Sequence, residues 1–165
     1  MTDQTGRFEV RLLASSDVSE VLDIITAARR EWGLLARVDT LLEPADYALF
    51  ELYQKPQSAY FVALNDKRIA GGAGISPLAG GDGATCELQR MYLRAEDRGT
   101  GLGQALLDAC LGSARNLGFK RCYAETVSEM TSALAFYKRN RFHGLEQPFG
   151  QTGHAHNDCW LMLDL

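Results

Sequence analysis

The chain of 165 residues has no apolar run approaching the roughly 18 residues that a membrane-spanning helix needs. Its first residues, Met1-Thr2-Asp3-Gln4, are polar and lack the basic and apolar regions of a secretory leader. The four cysteines, Cys86, Cys110, Cys122 and Cys159, form no C-x-x-C pair, which removes the commonest thiolate metal and redox spacings. Three of them fall in apolar strand or helix patterns and are expected to be buried free thiols, in keeping with a cytoplasmic, reducing setting. Positive charge is not in excess: 17 Lys/Arg against 21 Asp/Glu give a net charge of −4, unlike a general nucleic-acid binder. No repeat, linker or low-complexity tract interrupts the chain. With 46% apolar and 23% charged residues, the composition suits one globular domain over residues 1–165 with a real core.

What charge there is lies unevenly. Arg90 to Arg141 holds nine of the 17 basic residues but only five of the 21 acidic ones, so this stretch favours a small polyanion. The first half is acidic around Asp39, Glu43, Asp46 and Glu51, which suits a cationic amine.

Hydrophobic periodicity divides the chain into alternating elements. Phe8 to Leu13 alternates as a strand. Ser15-Ser16-Asp17 offers a helix cap, with Glu20 placed for a capping box, and Val18, Val21, Leu22, Ile25 and Ala28 make an apolar stripe to about Arg30. An apolar loop, Trp32-Gly33-Leu34-Leu35, leads to a second helix that opens at Pro44 and ends at Lys55-Pro56. Strands are expected over Ala59 to Leu64 and Arg68 to Ile75, joined by a turn at Asn65-Asp66-Lys67. Further strands are expected over Thr85 to Leu93, Arg121 to Thr126, Phe142 to Phe149 and Cys159 to Leu163. Helices follow Gly103 and Met130. The order β-α-α-β-β-β-α-β-α-β-β mixes hairpins with helix-linked strands and indicates a mixed α/β or α+β fold.

Between the long strand and the central helix stands Arg98-Gly99-Thr100-Gly101-Leu102-Gly103. Three glycines in five residues bare the backbone where a helix exposes its unpaired N–H groups, a geometry suited to a phosphate or pyrophosphate. A plain tight turn reads equally well from the glycines alone. The P-loop is excluded because Gln104-Ala105 stands where Lys-Ser/Thr is required. The dinucleotide fingerprint fits poorly, lacking its third glycine and following several antiparallel strands.

The stretch from Glu87 to Phe142 resembles the GNAT superfamily of N-acetyltransferases. Arg98, Gly101 and Gly103 meet its Gln/Arg-x-x-Gly-x-Gly/Ala signature. Leu88-Gln89-Arg90-Met91-Tyr92-Leu93, Ala114-x-x-x-Gly118-Phe119, Ala133-Leu134-Ala135-Phe136-Tyr137 and Arg141-Phe142 match its flanks in order. The resemblance implies a central, splayed, mixed sheet of about seven strands with about four helices, and acetyl-CoA held between the fourth and fifth strands. Backbone groups of Arg98, Gly99, Thr100, Gly101, Leu102 and Gly103 would then cradle the pyrophosphate, with the Arg98 guanidinium adding charge or bracing the loop. Met91 and Leu93, with Tyr92 between them, would pair with the pantetheine arm like an added strand.

By the same resemblance, Tyr137 is the acid that serves the leaving sulfur and Glu87 the base that deprotonates the amine, directly or through water. Alternation places Glu87, Gln89 and Met91 on one face of the strand, opposite Leu88, Arg90 and Tyr92. Relatives carry an asparagine near the start of the last helix; here Ser128 or Thr131 stands in that region. The acceptor site is expected around Trp32, Leu34 and Tyr53 with the final hairpin, where His154 could touch substrate. The loop His154-Ala155-His156-Asn157-Asp158-Cys159 lacks the spacing of a compact zinc site, and no metal is expected. No cysteine stands at a family position for an acetyl-enzyme, so direct transfer in a ternary complex to a small-molecule primary amine is expected. A protein lysine or N-terminus is the second acceptor class, and a non-catalytic acyl-CoA sensor the reading outside enzymes. Membranes and nucleic acid are not expected partners; a homodimer is compatible.

Overall fold

A computed structural model describes residues 8–34 and 41–165; Met1 to Gln4, Leu35 and Asp39, named above, lie outside them. Seven strands form one sheet in the order β1-β2-β3-β4-β5-β7-β6: β1 Phe8–Leu12, β2 Ala59–Asn65, β3 Arg68–Pro77, β4 Thr85–Leu93, β5 Arg121–Thr126, β6 His143–Leu145 and β7 Cys159–Asp164. The described helices are α1 Val18–Glu31, α2 Leu49–Tyr53, α3 Leu102–Asn116 and α4 Thr131–Arg139. All neighbouring strands run antiparallel except β4 and β5, which α3 connects as a crossover.

Strand alternation sorts β2 onto two cores. Tyr60, Val62 and Leu64 pack with Val21, Ile24 and Ile25 of α1 and with Leu49 and Tyr53 of α2. Phe61 and Ala63 turn to the opposite face, where Leu102, Leu106, Leu107 and Cys110 of α3 complete the larger core. Cys86, Cys110 and Cys122 are buried and all four cysteines are free thiols.

Two local expectations are corrected. Asp17 lies in a 3-10 turn before α1, and its carboxylate accepts from the Ala14 N–H at 2.8 Å and from Arg11 at 2.6 Å. The box therefore closes one turn earlier than expected, and Glu20 pairs with Arg94 at 2.7 Å instead. β6 pairs with β7 only as far as Leu145 opposite Trp160, well short of Phe149, and Pro148, which cannot donate, keeps the ladder from resuming. Phe142, ahead of it, packs in the α3 core against the Tyr137 ring, 5.2 Å between centroids.

Candidate active site

β4 and β5 are paired only where Thr85, Cys86 and Glu87 face Arg121, Cys122 and Tyr123. Beyond that point β5 follows β7 through Thr126 while β4 continues along β3, so the two strands splay. β4 also carries an extra residue: Gln89 faces Gly74 and Tyr92 faces Gly72, three steps on one strand against two on the other. Arg90 absorbs the bulge in the left-handed region at φ 50°.

The bulge overturns the strict alternation expected for this strand. Leu88, Met91 and Leu93 pack with the α3 core, whereas Tyr92 joins the α1/α2 side. Gln89 and Arg90 both reach Tyr53 of α2, at 2.8 and 3.4 Å. Met91 is thus separated from Glu87 and delivered to the same face as Leu93.

Two adjoining cavities occupy the split, with Tyr92 and Met130 lining both. The larger, about 380 Å³, is walled by Met91, Leu93, the glycine turn and α4, with Tyr137 among its lining residues. Gly99 and Gly101 have φ of 75° and 95°, and a Cβ on either would meet no protein atom within 4 Å. The turn is therefore an open cradle at the start of α3, not a packed corner. The Tyr137 hydroxyl makes no hydrogen bond to the described residues, and burial pushes its pKa well up, so it carries its proton at neutral pH.

Of the two roles expected for Arg98 the structure shows the bracing one, while several other expected contacts fall elsewhere. Arg98 braces the turn: its guanidinium donates to the Leu93 carbonyl at 3.1 and 3.2 Å and pairs with both oxygens of Glu31 at 2.7 and 2.8 Å. Thr100 donates to the Asp97 carbonyl and Leu102 is fully buried, leaving only their backbones to the turn. Ser128 is exposed, bound through N–H and hydroxyl to Asp158, and lines neither cavity; Ser132 lines the larger one. Trp32 belongs to this cavity too, beneath the Arg98 guanidinium at 5.9 Å, and is not in the smaller one with Leu34. Tyr53 is 4% exposed and stands behind the smaller cavity, a second shift from expectation.

The smaller cavity, about 280 Å³, gathers Glu87, Glu125, Glu43, His154, Arg29 and Arg90 with an apolar wall from Leu34, Leu41 and Val127. His154 of the β6–β7 loop places Nδ1 at 2.8 Å from Glu125 and Nε2 at 3.3 Å from Glu43. The bond to Glu125, then that to Glu43, raises the imidazole pKa to about 10, so it is an imidazolium at neutral pH. Burial works against charge on Glu125, but bonds from His154, Thr152 and Tyr123 outweigh it and keep its carboxyl below the usual range. Glu87 is 4% exposed, and burial, with the charge of Glu125 adding to it, raises its pKa to about 7 despite a 2.7 Å bond from Gln89. Two carboxyl groups in one cavity are thereby driven to opposite protonation behaviour, the arrangement of an acid–base site. Below them, buried Asp46 binds Arg29 at 2.7 Å and Arg90 at 2.6 Å.

Sequence reasoning reached Glu43 only as part of an acidic first half suited to a cationic amine, and had no hold on Glu125, Gln89, Arg90 or Arg29 as site residues. For Glu125 a signal existed, a lone carboxylate inside the apolar strand Cys122-Tyr123-Ala124-Glu125.

A match to the Acetyltransferase (GNAT) family model spans residues 22–142. The chain belongs to the GNAT acetyltransferase family. A relative from Escherichia coli (strain K12), the uncharacterized N-acetyltransferase YjgM, is 36% identical over 151 residues, covering 91% of this chain and 89% of that one. The GNAT fold is shared with an acetyltransferase of Staphylococcus aureus Mu50, at TM-score 0.85 and 19% identity over 96% of this chain and 99% of that one. It is shared also with YncA of Salmonella typhimurium, described as a putative acetyltransferase with its cofactor acetyl-CoA, at TM-score 0.77 and 20% identity over 96% and 94%. The protein is an acyltransferase of this family.

Proposed function

We propose that this GNAT protein transfers the acetyl group of acetyl-CoA to the primary amine of a small molecule, by direct attack in a ternary complex. The carrying observation is Glu87, a buried carboxyl with its pKa raised to about 7, in a small cavity that opens onto the cleft of Tyr137 and the glycine turn. YncA, of like fold, is described with acetyl-CoA. The open cradle at Gly99 and Gly101 fits the pyrophosphate of that donor, since a Cβ at either position would occupy space that no protein atom fills.

When bound, acetyl-CoA supplies the thioester carbonyl and the thiolate leaving group. Glu87 draws the proton from the acceptor ammonium, its pKa near neutrality suiting both uptake and release. As the amine nitrogen bonds to the acetyl carbon and the carbon–sulfur bond breaks, Tyr137 gives its proton to the departing sulfur and is reprotonated at the expense of the second proton that the acetylated nitrogen sheds. The braced turn holds the helix start in place through Arg98 and Glu31. Glu87, Glu125 and His154 bring one ligand atom each within 4.8 Å of the others. We read this trio as an ion-pair cluster in which the imidazolium supplies the positive charge, so the transfer uses no resident metal.

A cavity of about 280 Å³ suits a small amine more than a peptide, which needs an extended groove. The apolar wall at Leu34, Leu41 and Val127 favours an acceptor with a short hydrocarbon part. The test is a thermal shift with acetyl-CoA, followed by free-thiol release across a panel of small amines and lysine peptides. Stabilisation with turnover on small amines is expected. No stabilisation removes the donor assignment, turnover on peptides alone replaces the acceptor class, and stabilisation without turnover leaves an acyl-CoA sensor.

A further inference from the structure

A glutamine amide has two faces of opposite character, and its neighbours determine which one meets a carboxylate. Around Gln89 they agree. The Tyr53 hydroxyl lies 2.8 Å from Gln89 Oε1 and the Ser76 hydroxyl 3.1 Å from the same atom. The Arg90 guanidinium, which can only donate, approaches the Tyr53 oxygen at 3.4 Å and Gln89 Oε1 at 3.5 Å. The phenol therefore accepts from Arg90 and turns its own proton toward Gln89. With its oxygen occupied, the amide points Nε2 at Glu87 Oε2, 2.7 Å away. The flipped amide would set N–H groups against the guanidinium and a carbonyl against the carboxylate.

We propose that Tyr53 and Gln89 form a positioning relay, polarised by Arg90, that orients the carboxylate of Glu87 and supplies its hydrogen-bond donor. The relay rests on the reading of Glu87 as the base for its purpose, though not for its geometry. Donors in series strengthen one another inside a low-dielectric interior, and here the series runs from a guanidinium to a carboxylate.

Its members are fixed by the packing of the α1/α2 core. The Tyr53 ring packs tilted against Tyr60, 5.0 Å between centroids, and fills the space beside Gly74, where a Cβ would stand 2.6 Å from the ring. The Tyr60 hydroxyl donates to the Arg90 carbonyl at 3.1 Å, and Asp46 holds Arg90 Nε at 2.6 Å. The bulge residue is thus held at its backbone and its side chain, aiming the guanidinium at Tyr53.

The groups around Glu87 define what removal of the relay would do. Glu125 on β5 opposes its ionisation, while His154 of the closing loop and Arg90 of β4 favour it; the Tyr123 phenol on β5, its own pKa pushed up by burial, stays neutral. Glu43 ahead of α2, Arg29 of α1 and His156 line the same cavity. Without the amide donor, burial and Glu125 dominate and Glu87 takes up its proton more readily.

The experiment is a carboxyl titration followed by NMR on protein labelled with carbon-13 at the glutamate side-chain carboxyls, with Glu87→Gln assigning the signal. Gln89→Met keeps the volume and deletes the donor; Tyr53→Phe keeps the ring and removes the shortest of the bonds to Gln89 Oε1, leaving that from Ser76. The Glu87 midpoint is expected to rise by about one to two pH units in Gln89→Met and by less, in the same direction, in Tyr53→Phe. Near-UV circular dichroism checks that each variant is folded, and each tests the relay by itself. An unmoved midpoint in folded Gln89→Met overturns the proposal; an unmoved midpoint in folded Tyr53→Phe removes Tyr53 from it. The base reading fails separately, if Glu87→Gln keeps the acidic limb of the rate profile.

Discussion

His154 stands 2.8 Å from Glu125 and thereby ties the β6–β7 loop to β5 across the smaller cavity. Its other ring nitrogen reaches Glu43, from the segment ahead of α2, so one imidazolium joins three parts of the chain. The smaller cavity owes its roof to this charge.

The pH dependence of that roof has a definite sign. A histidine whose pKa is raised on folding contributes stability that is complete below about pH 6.5 and is lost as pH rises through about 10. Thermal melts of the wild type should fall between pH 8 and pH 10.5 by about 2 kcal/mol more than those of His154→Gln. Parallel curves for the two proteins would remove the roof assignment.

Glu87 behaves in the opposite sense to an ordinary paired carboxylate. Its raised pKa means that the folded protein binds a proton the unfolded chain has released between about pH 4.5 and 7, so stability falls as pH rises through that window. Glu87→Gln should therefore match the wild type at pH 4 and exceed it by about 2–3 kcal/mol at pH 8. The same substitution should abolish the acidic limb of kcat/KM near pH 7.

Tyr137→Phe keeps the ring packing against Phe136 and Phe142 and deletes the proton donor. The expected result is a fall in kcat of about 10²- to 10⁴-fold with the KM for acetyl-CoA little changed. Steady-state kinetics check it, and wild-type turnover would remove the acid role.

Gly101→Ala separates backbone strain from crowding. No protein atom lies near the added methyl, but φ of 95° costs an alanine about 1–2 kcal/mol. A modest loss of stability in urea melts should accompany a loss of acetyl-CoA binding of at least about tenfold, because the methyl enters the cradle. Equal losses at Gly118→Ala, with φ of 89° at the far end of α3, would show strain alone.

Asp46 is fully buried and answers two guanidinium groups. Asp46→Ala would leave Arg29 and Arg90 without their shared carboxylate and is expected to destabilise the fold by about 3–5 kcal/mol, measured by chemical unfolding. A smaller loss would mean that Glu43 takes over the pairing.

The local patterns carried most of the architecture and half of the site. Strand alternation and helical stripes are properties of neighbouring residues, so the order of elements, the buried thiols and the glycine turn could be read from residue types alone. Tyr137 and Glu87 were singled out only through the resemblance to the GNAT superfamily, which residue types and spacing by themselves do not supply. The bulge at Arg90 was not legible, because it exists only in the register of β4 against Gly72 and Gly74 of β3, and one inserted residue exchanges the faces of everything beyond it. Trp32 and Tyr53 show the same limit: both are aromatic and near the expected site, yet the path of the chain sends one to the larger cavity and the other behind Glu87 and Gln89. The pairing of Glu125 with His154, 29 residues apart, and with it the divergent behaviour of two carboxylates, depends on burial and on distances between separate segments. Residue order determined the elements and the donor-side motif; the folded chain alone decided which charges share a cavity, and hence which carboxylate can act as a base.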